Sequence, residues 1–301
     1  MIHSMEELLA QAKNGTPMTI AVACAHDHDV LRAILMAQKE GVANAVLTGR
    51  REKICEILRE LGADENQVPI YDAETDGESA RMAVQLVREG KAGFLMKGLL
   101  ATAELMRAVI DKENGLRTER LISHVMMYQA PAYPKPLFLT DGGMNTYPDL
   151  PKKADILENA AIVVRALGYE KIYAAAICGA EDVNPKIQAT VDAAALAEMH
   201  DRWRPYNMVV SGPMGFDLAI SKSACEHKRY QGEAGGKADI LLVPTYEVGN
   251  GIGKAMMFFG GAKGAGIIVG AKVPIVLVSR SDTAETKLAS IALGAVVSRN
   301  I

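Results

Sequence analysis

Residues 18–47 read MTIAVACAHDHDVLRAILMAQKEGVANAVL. Residues 18–24 form a nearly continuous apolar run, residues 30–39 space their apolar side chains as a helix does, and residues 43–47 form a second apolar run. Gly41 stands where the helix must stop, because a residue without Cβ takes the left-handed conformation that closes a last turn. Apolar runs that do not alternate in polarity suit strands covered on both faces, the condition of a parallel sheet. The stretch predicts a strand, a crossover helix and a second, parallel strand.

The alternation continues along the chain. Further strand-like runs fall at residues 92–96, 136–140, 172–177, 208–210, 239–243 and 273–279. A helix over 79–89 stops at Gly90, and Asn184-Pro185 opens another, with Asn as cap and Pro in the first turn. This pattern predicts the α/β class with a mainly parallel sheet. A chain of 301 residues exceeds the roughly 250 at which single cores stop growing, so two lobes are expected. The proline-rich stretch 128–136 is the candidate crossing between them. Ligands of such sheets sit outside the carboxyl ends of the strands. Attention therefore goes to Lys97-Gly98, Asp141-Gly142-Gly143, Ser211-Gly212-Pro213 and Ser279-Arg280, each of which comes directly after a strand-like run.

A net charge of −3 and a pI near 6.1 argue against nucleic acid or an anionic membrane as partner. Anion binding must come from a few placed cations and backbone N–H groups. The four cysteines, Cys24, Cys55, Cys178 and Cys225, lie far apart beside apolar sequence, which reads as reduced thiols in a cytoplasmic protein. The chain opens on Ser4-Met5-Glu6-Glu7, a helix-capping pattern rather than a secretory signal. Its most apolar stretch, 264–279, is interrupted by Lys272 and Pro274, so no membrane span is expected.

Ser279-Arg280 offers a hydroxyl and a guanidinium fork suited to phosphate, with the N–H groups of the next helix beside them. A serine cap and a surface arginine would look the same. Lys97, Thr102 and Arg107 put a cation at a strand end and two polar groups on the next helix, though five residues separate the last two. The segment Gly249-Asn250-Gly251-Ile252-Gly253-Lys254 lacks the spacing and the Ser or Thr of a phosphate loop, and reads as a flexible, amide-rich loop with one lysine. His26-Asp27-His28-Asp29 has no complementary His/Cys pair elsewhere, and an Asp-capped helix start explains it more simply than a metal site.

Taken together, five segments resemble the phosphate acetyl/butyryltransferase family over essentially the whole chain, most closely its butyryltransferase branch. They are MKGLLATAELMR at 96–107, GLRTERLISHV at 115–125, LFLTDGGMNTYPDL at 137–150, GKADILLVP at 236–244 and SRSDTAETKLASIAL at 279–293. The resemblance implies two α/β lobes with mainly parallel sheets around a cleft, similar to isopropylmalate and isocitrate dehydrogenases. Residues 1–136 with 271–301 would form the first lobe and 137–270 the second. It implies acyl-CoA and inorganic phosphate as substrates, no bound cofactor or metal, a homodimer or larger assembly, and a pathway link to an acyl-phosphate kinase. By the same resemblance Ser279, Arg280, Lys97, Thr102 and Arg107 face the site. Asn250 and Lys254 match the family's GN…K element, although Gly253 stands where an aromatic residue is usual. Ser211 and Gly212 are further substrate-binding candidates.

The acetyl branch carries an Asp, thought to take the CoA thiol proton, seven residues after that Ser; Thr286 occupies the position in this chain. Glu285 and Asp282 are the neighbouring carboxylates, with Glu285 expected to matter more. Direct attack in a ternary complex is the expected mechanism, with an acyl-cysteine route as rival. A phosphate acetyltransferase, a hydroxyacid dehydrogenase of the same fold and a non-enzymatic CoA-binding protein are the alternative functions. The dehydrogenase would need a metal-binding set of aspartates, which the sequence lacks.

Overall fold

The chain begins with α1 (Met5–Lys13) and then builds the unit expected from its opening stretch. β1 (Met18–Ala23), α2 (His28–Lys39) and β2 (Ala43–Gly49) come in succession, and β1 and β2 run parallel with Met18 opposite Ala43. Gly41, at φ 71°, closes α2 as expected. This is a computed structural model that describes residues 1–279 and 282–301.

The chain continues through α3 (Arg51–Glu60), β3 (Ile70–Asp72), α4 (Asp76–Arg88), β4 (Phe94–Lys97) and α5 (Thr102–Val109). Gly90, at φ 72°, closes α4 as Gly41 closes α2. Then come β5 (Ser123–Gln129), β6 (Leu137–Thr140), α6 (Leu150–Ala166), β7 (Ile172–Ile177), α7 (Gln188–Glu198), α8 (His200–Trp203) and β8 (Met208–Met214). Next are α9 (Phe216–Ile220), α10 (Lys222–Lys228), β9 (Ile240–Leu242) and α11 (Tyr246–Phe258), and last β10 (Lys263–Val269), β11 (Ile275–Val276) and α12 (Ala284–Asn300).

Two bodies result. The first comprises Met5–Arg120 and Ala265–Ile301, the second Met1–Ser4 and Leu121–Gly264. The crossings thus fall at 120/121 and 264/265 rather than in the proline-rich stretch. The reason is that Ser123–Gln129 is a strand, paired antiparallel with Leu137–Thr140, and the prolines only turn that hairpin. In the first body the strand order is β3-β2-β1-β4-β11-β10, parallel except at the β10–β11 pair. In the second it is β5-β6-β9-β7-β8, parallel except for β5.

The cores are built from the apolar runs. Ile20, Ala21, Val22 and Ala23 of β1 and Phe94, Leu95 and Met96 of β4 are fully buried. α12 buries residues almost all round because it lies against α1, α2, β4 and β11 of its own body. Gly294 allows that approach: a Cβ there would come within 3.0 Å of Phe94 and Val276. The helix expected at Asn184-Pro185 starts later, at Gln188. Asn184 instead closes a turn, accepting the Lys186 N–H through its side chain at 3.0 Å. Asp27 caps α2 as expected, accepting the Val30 N–H at 2.9 Å, and His28 pairs with Glu60 at the surface. Among the described residues no helix is long and apolar enough to cross a membrane, and no group of three His, Cys, Asp or Glu is gathered as for a metal.

Candidate active site

In the first body the strand order reverses between β1 and β4, since β1 leads outward to β2 and β3 while β4 continues on the other side. Such a reversal is where an open α/β sheet places its ligand crevice. Ala23 and Lys97 sit opposite each other at the carboxyl ends of these strands, and β11 lies on the far side of β4 with Val276 beside Met96. Lys97-Gly98, Cys24 and Ser279 therefore emerge from three neighbouring strands on one edge.

Lys97 is only 6% exposed, and its ammonium donates to the carbonyls of Gly98 and Leu100 at 3.1 Å each. These neutral acceptors fix the turn that leads into α5. The turn is also held from below, where the N–H groups of Gly98 and Leu99 donate to the carbonyls of Ala23 and Cys24 at 2.8 Å. Gly98 is required by this approach, for a Cβ would lie 2.2 Å from the Cys24 oxygen. Thr102 is the first residue of α5 and half-buried. Arg107, with a side chain 75% exposed, pairs with Glu104 at 3.1 Å. It lines a groove of about 700 Å³ between α4 and α5, together with Arg81 and Arg88.

Ser279 is exposed at the end of the β11 segment. Its N–H donates to the Asp282 carboxylate at 2.8 Å, and the Asp282 N–H returns a bond to the Ser279 carbonyl at 3.2 Å. Asp282 thus holds the Ser279 backbone before α12, and the ammonium of buried Lys287 donates to the Asp282 carbonyl. Thr283 caps α12 and accepts the Thr286 N–H at 3.3 Å. Glu285 is exposed, and its carboxyl lies below the usual range because its own backbone N–H, the Thr283 hydroxyl and Arg32 favour the anion. A base works best with a pKa near the operating pH, so these surroundings make Glu285 a weak proton acceptor. Arg280 lies outside the described residues.

The second body has its own carboxyl edge. There the buried Asp141 comes directly after β6 and faces His124 of β5. Its carboxylate accepts the N–H groups of Gly143 and Met144 at 2.8 Å, of His124 at 3.1 Å and of Asn145 at 3.3 Å, and the Asn145 side-chain amide at 2.7 Å. The turn so formed seats α11, since a Cβ on Gly249 would lie 2.7 Å from the Gly142 Cα. Residues 249–254 are therefore not the flexible loop expected from their glycines but part of a helix. Gly249 and Gly253, one turn apart, let it approach Gly142 and Tyr128, whose hydroxyl would lie 2.3 Å from a Cβ at position 253. Its interior amides are used within the helix. Asn250 is half-buried and Lys254 exposed.

A sequence model of the phosphate acetyl/butaryl transferase family matches residues 76–295. The chain belongs to this family. The phosphate butyryltransferase of Clostridium acetobutylicum is 43% identical over 100% of both chains. The phosphate acetyltransferase of Thermotoga maritima is 39% identical, over 96% of this chain and 98% of that one. The crystal structure of a branched-chain phosphotransacylase from Enterococcus faecalis V583 superposes with a TM-score of 0.84 at 34% identity, over 94% of this chain and 100% of that one.

As a phosphate acetyl/butyryl transferase the protein is an acyltransferase, and its first body brings Lys97, Thr102, Ser279, Asp282 and Glu285 to strand or helix ends at one edge. Arg107 lies further along α5, in the groove. Ser211 and Gly212 have other partners: both lie within β8, where the buried Ser211 hydroxyl accepts the Ala234 N–H at 3.0 Å and Gly212 admits Ala176 and Ala193. One organising residue, Asp141, is marked in the sequence by its place after a strand, but its role there is not. The sequence shows Asp141 only as a strand-end acid and gives no sign of the N–H groups its carboxylate gathers. Burial pushes the thiols of Cys24 and Cys178 up to about 11 and raises those of Cys55 and Cys225, which weakens each as a nucleophile at neutral pH.

Proposed function

We propose that the protein transfers a short acyl group, butyryl in preference, between coenzyme A and inorganic phosphate. A phosphate oxygen attacks the thioester carbonyl, the carbon–sulfur bond breaks, and acyl phosphate and CoA thiol are released; the reverse reaction uses the same contacts. Supporting this reading, beyond family membership, is the gathering of Lys97-Gly98, the start of α5 and the Ser279–Asp282 pair at adjacent strand ends of one body. The Lys97 ammonium attracts an anion to that edge.

In this reading Arg280 and Arg107 hold phosphate, and Thr102 adds a hydroxyl at the start of α5. The exposed Ser279 hydroxyl steadies the carbonyl oxygen as charge develops on it. Asp282, which also holds the Ser279 N–H, is the better placed carboxylate to receive the thiol proton. Asn250 and Lys254 are assigned CoA contacts, with Ser211 and Gly212 supporting their body. Direct attack needs no acyl-enzyme, and the raised cysteine pKa values favour it over the acyl-cysteine route. A homodimer or larger homo-oligomer in the cytoplasm, feeding an acyl-phosphate kinase, completes the proposal. Acetyl transfer is the second reading, favoured by the likeness to the Thermotoga maritima enzyme.

The test is phosphate-dependent release of free CoA from acetyl-, propionyl-, butyryl- and isobutyryl-CoA, monitored with a thiol reagent. The fastest release is expected with butyryl-CoA. Fastest release with acetyl-CoA would favour the second reading, and absence of release from folded protein with every acyl-CoA would overturn the assignment.

A further inference from the structure

We propose that Ser79 is a positioning residue for the turn at 97–102, acting through the backbone of Cys24. The inference rests on the assignment of that turn to substrate binding.

Three segments distant in sequence meet under the switch point. Thr48 of β2 and Ser79 of α4 are both fully buried, and their hydroxyl oxygens are 2.7 Å apart. Ser79 Oγ accepts the Cys24 N–H at 2.8 Å. The Ser79 carbonyl lies 2.9 Å and the Val22 carbonyl 3.2 Å from Thr48 Oγ1. One arrangement satisfies every group: Ser79 donates to Thr48, Thr48 donates to a main-chain carbonyl, and Cys24 donates to Ser79.

Cys24 has φ 52°, in the left-handed region that a side chain enters at a cost. Its N–H is thereby turned toward α4, and its carbonyl, with that of Ala23, toward the N–H groups of Leu99 and Gly98. The approach is close, since a Cβ at position 98 would lie 2.2 Å from the Cys24 oxygen and 2.5 Å from that of Ala23. The thiol contributes little: its acceptor, the Asp76 carbonyl, is 3.9 Å away. The Ser79 hydroxyl thus fixes an unfavourable backbone conformation, and that conformation sets where the Lys97 turn and the start of α5 stand.

The test compares Ser79→Ala, Cys24→Ala, Cys24→Gly and the Ser79→Ala/Cys24→Gly pair, assayed well below their melting temperatures. Ser79→Ala is expected to raise KM for phosphate by about tenfold with a smaller change in kcat. Cys24→Gly, which takes the left-handed conformation freely, and Cys24→Ala, which keeps the Ser79 bond and loses only the weakly held thiol, should each change KM for phosphate far less than Ser79→Ala does. The glycine should also restore much of the KM lost in Ser79→Ala. Hydrogen exchange of the Gly98 and Leu99 amides gives a readout that does not need turnover, and Ser79→Ala should speed it relative to amides of β7. Unchanged KM in an active Ser79→Ala enzyme, or unchanged exchange at 98–99, would overturn the proposal. Faster exchange at 98–99 in Ser79→Ala, where the wild-type protein itself releases no CoA, would retain the positioning role and remove the substrate assignment.

Discussion

Each body ends a central strand in a turn built around a buried charge, and the two charges have opposite sign. In the first, the Lys97 ammonium gathers carbonyls; in the second, the Asp141 carboxylate gathers N–H groups from four residues and a side-chain amide. Both devices fix a turn that its glycines would otherwise leave loose. They differ in the sign of the field at the edge. A cation among carbonyls attracts an anionic ligand, while the carboxylate repels one. The same structural problem has therefore been solved in two ways, and only the first also suits phosphate.

This contrast predicts unequal consequences of mutation. Asp141→Ala strands one buried and several partly buried donors at once and should cost about 4 kcal/mol, read by urea unfolding. Lys97→Met keeps the side-chain volume but leaves two carbonyls without their donor, so it should cost about 2 kcal/mol, less than Asp141→Ala. Its kcat/KM should nevertheless fall by about 100-fold, the scale of losing one preorganised donor. If Lys97→Met unfolds as readily as Asp141→Ala while its folded fraction keeps full turnover, the two turns are alike and the electrostatic distinction fails.

A smaller contrast lies within the first body. Asp282 accepts the Ser279 N–H, whereas Glu285 is fully exposed on the first turn of α12. Asp282→Asn should lower kcat about tenfold and Glu285→Gln less than twofold. The Glu285 carboxyl is held low, so its charge-linked contribution is complete above the ordinary carboxylate pKa. That contribution is lost only as pH falls through the lowered folded value. The pH profile of kcat/KM between about pH 5.5 and 8 should consequently be the same in wild type and Glu285→Gln. An inflection that disappears in the variant would restore Glu285 as the base expected from the sequence.

Much of the fold is legible in the sequence because it depends on local pattern. β1, β2 and β7 are apolar runs, and Gly41 and Gly90 mark helix ends by a property of the residue itself. β5 is not legible, because Ser123-His124 and Gln129 interrupt its apolar character and its partner is antiparallel. β11 falls within the run 273–279, whereas β10 shows only as apolar sequence before Lys272 and Pro274, and its antiparallel pairing with β11 carries no local signal. The helical state of 249–254 runs against glycine propensity, and tertiary contact with Gly142 and Tyr128 decides it. In the site, Lys97-Gly98 and Ser279 can be found by their place after strands. Ser79 cannot, since its role depends on residues 24 and 48 reaching it through the fold.

The smallest expected effect concerns the thiols just beyond β1 and β7, one at each edge. Cys24 and Cys178 are both raised to about 11 by burial despite their different neighbours. At about pH 8 such a thiol is ionised to only about one part in a thousand, against roughly a quarter for an ordinary one near 8.5. Alkylation of either by iodoacetamide in the folded protein should be on the order of 100-fold slower than for a free thiol, with the rate still climbing above about pH 9. Cys178→Ser should change kcat by less than about twofold. Rapid alkylation of one of these cysteines, accompanied by loss of activity and blocked by acyl-CoA, would place a thiolate in the reaction. The edge carrying that cysteine would then be the catalytic one, whatever the charge of its turn.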